Sequence, residues 1–144
     1  MLNRIIQQNL DPPNLSFMKQ VGVQGKWQEG ANSITLNLPV MFFEEDGVQI
    51  AYIPVLDITG YGKDEQEAKK SLEICLFEYF SYSIRKNTFI EDLKAHGWTV
   101  KKKTKPYVAP ELTDILNSNE YLHNIINSRP YKMDRMDVSM PQYD

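Results

Sequence analysis

The chain has a single cysteine, Cys75, so neither an intrachain disulfide nor a thiolate zinc site can form within it. A reducing compartment suits that composition. Long hydrophobic runs are also missing. The longest purely apolar stretch runs from Leu38 to Phe43 and already contains Pro39, whereas a membrane-spanning helix needs roughly 20 residues. The N-terminus carries Arg4 and no sustained apolar run before Gln7, Gln8 and Asn9, so the central region of a signal peptide is not there. A cytoplasmic protein without a membrane segment is expected. Positive charge is not in excess either: 16 Lys and Arg against 19 Asp and Glu give a formal net charge of -3, which provides no global attraction to nucleic acid or anionic lipid. Any basic surface has to be local.

Apolar material is nevertheless sufficient for a core. Of the 144 residues, 42% are hydrophobic and 11% aromatic, and the 24% that are charged leave the chain far from disordered compositions. A chain of this length closes around one core. Residues 1–32 read as an arm, because Asp11-Pro12-Pro13-Asn14 interrupts any helix begun at Leu2 and Gly22, Gly25 and Gly30 punctuate the stretch up to Ser33. From Ser33, residues Ile34, Leu36, Leu38, Val40 and Phe42 alternate with their neighbours, which predicts a strand over 33–43, with Pro39 at an edge position or a bulge. Asp46-Gly47 supplies the positive φ values of a tight hairpin, leading to strands over 48–53 and 55–61.

Asp64 followed by Glu67 forms a capping box, and Ala68, Leu72, Cys75, Leu76, Tyr79, Phe80 and Ser83 then fall on one stripe of a helix near 64–86. Thr88 and Glu91 repeat the capping pattern for a short helix that stops at His96-Gly97. Trp98, Val100 and Lys102 alternate as a fourth strand over 98–104. The order is α+β, a sheet covered by helix within a domain of residues 33–105. Residues 106–144 form an extension: Glu111 to Leu116 and Glu120 to Ile126 suggest short helices, and Tyr131 to Met140 a strand whose apolar face switches between Met133 and Met136.

The segment Tyr52-Ile53-Pro54-Val55-Leu56-Asp57-Ile58-Thr59-Gly60-Tyr61-Gly62-Lys63-Asp64-Glu65-Gln66-Glu67-Ala68 resembles the HicB-like antitoxin family, where a short acidic hairpin leads to a Pro-x-Leu strand, a glycine pair and a capped helix. The resemblance covers Ser33 to Thr104. It implies a partial RNase H-like unit of three strands, a helix and a further strand. It also implies a small regulatory protein, usually a dimer or higher oligomer, that neutralises a HicA-like ribonuclease toxin by covering its catalytic surface. Members that repress their own operon carry a helix-turn-helix or ribbon-helix-helix after this unit. Here residues 106–144 run from helices to a strand, the reverse of ribbon-helix-helix order, which argues against DNA binding.

Catalytic chemistry finds little support in the residues. Two-metal nucleases need several converging carboxylates. Asp57 sits on the third predicted strand, Glu44, Glu45 and Asp46 lie in a turn where solvated charge is ordinary, and Asp64 and Glu67 are used in capping. His96 and His123 show no ligand spacing, Cys75 falls on the apolar helix stripe as a buried thiol, and Gly60-x-Gly62 lacks the further glycine and lysine of phosphate loops, so turn geometry accounts for it. No catalytic residue, metal site or cofactor is expected. The nucleic-acid alternative rests on Lys101, Lys102, Lys103 and Lys105 with Trp98 nearby, since lysines release counterions and aromatics stack on bases. A lysine run at a strand end is also a solvated edge that blocks aggregation. Finally, Tyr131, Met133, Met136, Val138 and Met140 mark a strand too late for the preceding unit. It pairs either with a second copy, giving a homodimer, or back onto its own chain.

Overall fold

The structure is a computed structural model that describes residues 33–101 and 107–141. The N-terminal arm and Lys102, Lys103 and Lys105 lie outside the described residues. Strand β1 (Ser33–Glu45) turns through Asp46 and Gly47, both at positive φ (53° and 79°), into β2 (Val48–Ile53). Glu45 faces Val48, so the loop is the expected two-residue hairpin turn. The next turn is tighter than the sequence suggests. Pro54 to Asp57 close on Ile53, whose carbonyl accepts from the Asp57 amide at 2.8 Å, and β3 starts only at Ile58 and runs to Gly62. The expected strand at 55–57 is thus a turn, made possible by Asp57 in the left-handed region (φ 57°), which Asp tolerates better than most residues.

Helix α1 (Glu65–Arg85) is capped as anticipated: Asp64 accepts from the Glu67 amide at 2.8 Å, and the Glu67 carboxylate accepts from the Lys63 amide at 3.1 Å. Its stripe of Ala68, Leu72, Cys75, Leu76, Tyr79 and Phe80 is buried on the sheet. The glycine pair does not make a turn. Gly60 and Gly62 are strand residues over which α1 passes so closely that a Cβ on Gly60 would lie 2.5 Å from Leu72 Cα and 2.6 Å from Ala68 O. Helix α2 (Phe89–Ala95) begins without a side-chain cap from Thr88 and ends in a Schellman turn, with Gly97 at φ 91° and the Trp98 amide donating to Leu93 O at 3.0 Å.

The largest difference concerns the fourth strand. The described part of the expected strand, residues 98–101, does not join the sheet. There Thr99–Val100 form a short strand, β4, which pairs with Tyr107–Val108 (β5) in a separate two-stranded piece. After α3 (Leu112–Leu116) and α4 (Glu120–Ser128), strand β6 (Tyr131–Pro141) takes the fourth place, giving the antiparallel order β3-β2-β1-β6. It pairs along β1 from Ser33↔Pro141 to Phe43↔Tyr131. The reason is apolar content: 98–104 offers only Trp98 and Val100 before its lysines, whereas β6 buries Met136, Val138 and Met140. The tail therefore folds back on its own chain and shares one core with the 33–105 segment.

Helices flank both faces of the α+β sheet. Leu38, Val40, Phe42, Ala51 and Ile53 face α1 and α2, while Met41, Phe43, Ile50 and Tyr52 face Leu122 and Ile125 of α4. Burial on both sides explains the unbroken apolar run Leu38 to Phe43. Pro39 is accommodated because β2 pairs with β1 only from Met41 onward, leaving β1 one strand neighbour at that point. Among the described residues, no helix is long and apolar enough to cross a membrane.

Candidate functional site

Strand β2 delivers Tyr52 to the α4 face of the sheet, and the Pro54–Asp57 turn folds Asp57 back beneath it. The fully buried Tyr52 hydroxyl donates to Asp57 Oδ1 at 2.8 Å and accepts from Asn119 Nδ2 at 2.9 Å. Asn119 also caps α4, its Oδ1 accepting from the Leu122 amide at 2.9 Å. Burial, with Asp57's negative charge adding to it, pushes the Tyr52 phenol well above its ordinary value of 10.0, so it stays a donor. Tyr121 packs edge-on against Tyr52, ring centres 5.0 Å apart. Two segments distant in sequence, the end of β2 with its turn and the start of α4, are thereby locked together around one carboxylate.

Asp57 opens onto a cleft of about 950 Å³ between this turn, the α2 C-terminus, β4–β5 and the start of α4. Among the described residues four carboxylates line it, Asp57, Glu111, Asp114 and Glu120, together with His96 and no Lys or Arg. The His96 ring is steered by its Nδ1 contact of 2.8 Å to Asp92 O, and Asp92 in turn accepts from the Tyr79 hydroxyl. Such a surface attracts cationic groups and N–H donors and repels phosphate. No three His, Cys, Asp or Glu side chains gather to hold a metal ion among the described residues.

The other residues singled out from the sequence are dispersed. In the hairpin, Glu45 binds Arg129 at 2.7 Å and Glu44 accepts from Gln49 at 3.2 Å. His123 is on α4 beside Asn127, outside the cleft lining. Cys75 is buried, and burial pushes its thiol up to about 12, which leaves it inert. Trp98 is 4% exposed and donates its indole N–H to Val55 O at 2.7 Å, so its ring is a core residue and not the base-stacking surface expected beside the lysines. Lys101 is exposed. Of the five tail residues expected at an interface, Met136, Val138 and Met140 are consumed by the chain's own core, while Tyr131 and Met133 remain exposed.

Sequence reasoning considered Asp57 and His96 and assigned neither to a site, and it missed Tyr52 and Asn119. Asn119 was legible as the N-cap of the helix predicted from Glu120. Nothing local tied Tyr52 to it across 67 positions. Comparison of the chain with protein-family models, curated proteins and solved structures gives no match.

Proposed function

We propose that the protein is a non-catalytic, HicB-like interaction module whose cleft around Asp57 docks a basic partner protein. The observation that carries this reading is the cleft itself: four carboxylates and, among the described residues, no Lys or Arg, over a floor fixed by the Tyr52–Asp57–Asn119 bonds. A rigid acidic concavity favours Lys and Arg side chains of a folded partner, with charge steering the encounter. The resemblance supplies the partner class, a small HicA-like ribonuclease toxin. A partial RNase H-like assignment is supported by the order β1-β2-β3-α1 and by the glycines that let α1 lie close on β3. A ribonuclease toxin acts in the cytoplasm, and the lone buried cysteine suits that compartment. The direct test is co-expression with a small basic HicA-like protein encoded beside it. The native chain should copurify with that protein and relieve its growth arrest. Asp114→Lys combined with Glu120→Lys should abolish both while leaving the circular dichroism spectrum unchanged. A native chain that neither binds nor protects would overturn the proposal.

A further inference from the structure

The sheet has two outer edges, and they differ. At β3 the strand is five residues long and its Tyr61 amide donates to Ser71 Oγ on α1 at 3.1 Å, so the helix covers part of that edge. At β6 the strand is 11 residues long, and among the described residues no strand lies on its outer side. Its second half is buried through Met136, Val138 and Met140. Its first half, Tyr131 to Arg135, is exposed on both faces of the sheet. Two of the four large exposed hydrophobic residues among those described, Tyr131 and Met133, stand there. An exposed edge of this kind templates further strand pairing.

We infer that Tyr131–Arg135 is a homodimer interface, in which β6 pairs antiparallel with β6 of a second copy about a two-fold axis at Met133. The occupant is a second copy because the segment is complementary to itself reversed. In an antiparallel pair, residues directly opposite point to the same face. Centring on Met133 therefore sets Lys132 opposite Asp134 of the second copy, twice, on the α1 face. On the other face it sets Tyr131 opposite Arg135, also twice, with methionine against methionine at the centre. Lys132 already bonds Glu65 at 2.7 Å, which holds its ammonium on the α1 side where the incoming carboxylate arrives. Arg135 is anchored to Asn37 through its side chain and, at 2.9 Å, its backbone carbonyl, which fixes a guanidinium plane for a ring to stack on. Neighbouring registers are worse. Centring on Asp134 or Arg135 opposes like charges, and centring on Met136 sets Lys132 against Met140 and Asp134 against Val138. Pro130, without an N–H, ends the ladder. A groove of mixed lining, apolar at Pro39, Pro110, Leu112 and Met133 and polar at Glu111 and Arg135, adjoins the strand on the side that a second copy meets.

No residue of Tyr131–Arg135 lines the acidic cleft, although Pro110 borders both the cleft and the groove, and the charge swaps at 132 and 134 test the interface independently of the partner proposed for the cleft. The test is sedimentation of the full chain with charge swaps. The native protein should dimerise, and Lys132→Asp or Asp134→Lys alone should each weaken association roughly tenfold or more, since two attractive cross-strand pairs become repulsive. The two single variants mixed in equal amounts should restore the dimer, because each supplies the charges the other needs. Restoration by mixing excludes misfolding as the cause of the loss. Register is read by mild oxidation: Met133→Cys should give a disulfide-linked dimer, and Tyr131→Cys and Arg135→Cys should not. A monomeric native chain, a dimer indifferent to both reversals, or cross-linking at Arg135→Cys and not at Met133→Cys would overturn the inference.

Discussion

Replacing Gly60 with alanine tests how the sheet–helix unit is held together. The new Cβ would lie 2.5 Å from Leu72 Cα, against 3.4 Å for an ordinary contact, and the obstacle is helix backbone that cannot rotate away. The nearest atom, Leu72 N, would be only 2.2 Å away, so helix α1 must retreat by about 1.2 Å. A gap of about 0.5–1 Å forfeits a quarter to a half of each contact's dispersion well, and a buried leucine makes roughly 40–60 such contacts of about 0.1–0.2 kcal/mol. Leu72 and Leu76 alone would thus lose a few kcal/mol if nothing relaxed. Partial relaxation brings the expected loss into the upper part of the range of about 1–3 kcal/mol seen for overpacking. Reduced freedom of the unfolded chain returns about 0.4–1 kcal/mol. The net expectation is a destabilisation of about 1–2.5 kcal/mol, lowering Tm by roughly 2–10 °C for a chain of this size. Urea unfolding followed by far-ultraviolet circular dichroism measures it. Gly47→Ala is the control, since no atom lies within 4 Å and only its left-handed φ of 79° is strained, at a cost of about 1–2 kcal/mol. If Gly60→Ala were as stable as the native chain, the close approach of α1 would not hold the fold together.

Tyr52→Phe removes the hydroxyl that joins Asp57 to Asn119 and should cost about 1.5–3 kcal/mol; in a double-mutant cycle its effect should be strongly reduced when Asp57 is already Asn. Leu76→Ala should cost about 2–5 kcal/mol in urea unfolding because the side chain lies in the α1 core. Alkaline pH should destabilise the chain. The Cys75 thiol, pushed from 9.0 to about 12 by burial, and the buried Tyr52 and Tyr79 phenols, pushed above 10.0, keep protons in the folded state that the unfolded state releases, so stability is full below pH 9 and falls above it. Urea midpoints at pH 8 and pH 10.5 check this, and Cys75→Ala should make the fall shallower.

The elements most legible in the sequence were those written locally. The Asp46-Gly47 turn, the Asp64–Glu67 cap, the helix stripe and Gly97 each use a residue type whose chemistry acts within a few positions. Long-range choices were not written that way. Trp98-x-Val100 alternates as a strand should, but whether it joins the sheet depends on competition with β6, which begins 31 residues after Val100. The switch between Met133 and Met136 that suggested a bulge reflects instead a strand whose first half is exposed and whose second half is buried, in regular register with β1 throughout. Gly60 and Gly62 looked like turn residues because a close helix approach leaves no other sign in sequence. The candidate site was half visible: Asp57 and His96 are conspicuous chemical types, while Tyr52 and Asn119 acquire their role only when α4 is laid on the sheet.

The most direct test of the proposed function is a titration of ribonuclease activity. A small basic HicA-like ribonuclease from the same host, the proposed partner, is purified and assayed on RNA with increasing amounts of the native protein and, in parallel, of Asp114→Lys/Glu120→Lys. The account predicts stoichiometric inhibition by the native chain, loss of inhibition by the charge-reversed one, and no RNA cleavage by either alone with magnesium, manganese or zinc. Full toxin activity at a molar excess of native protein, or RNA cleavage by the native protein itself that Asp57→Asn abolishes, would contradict it.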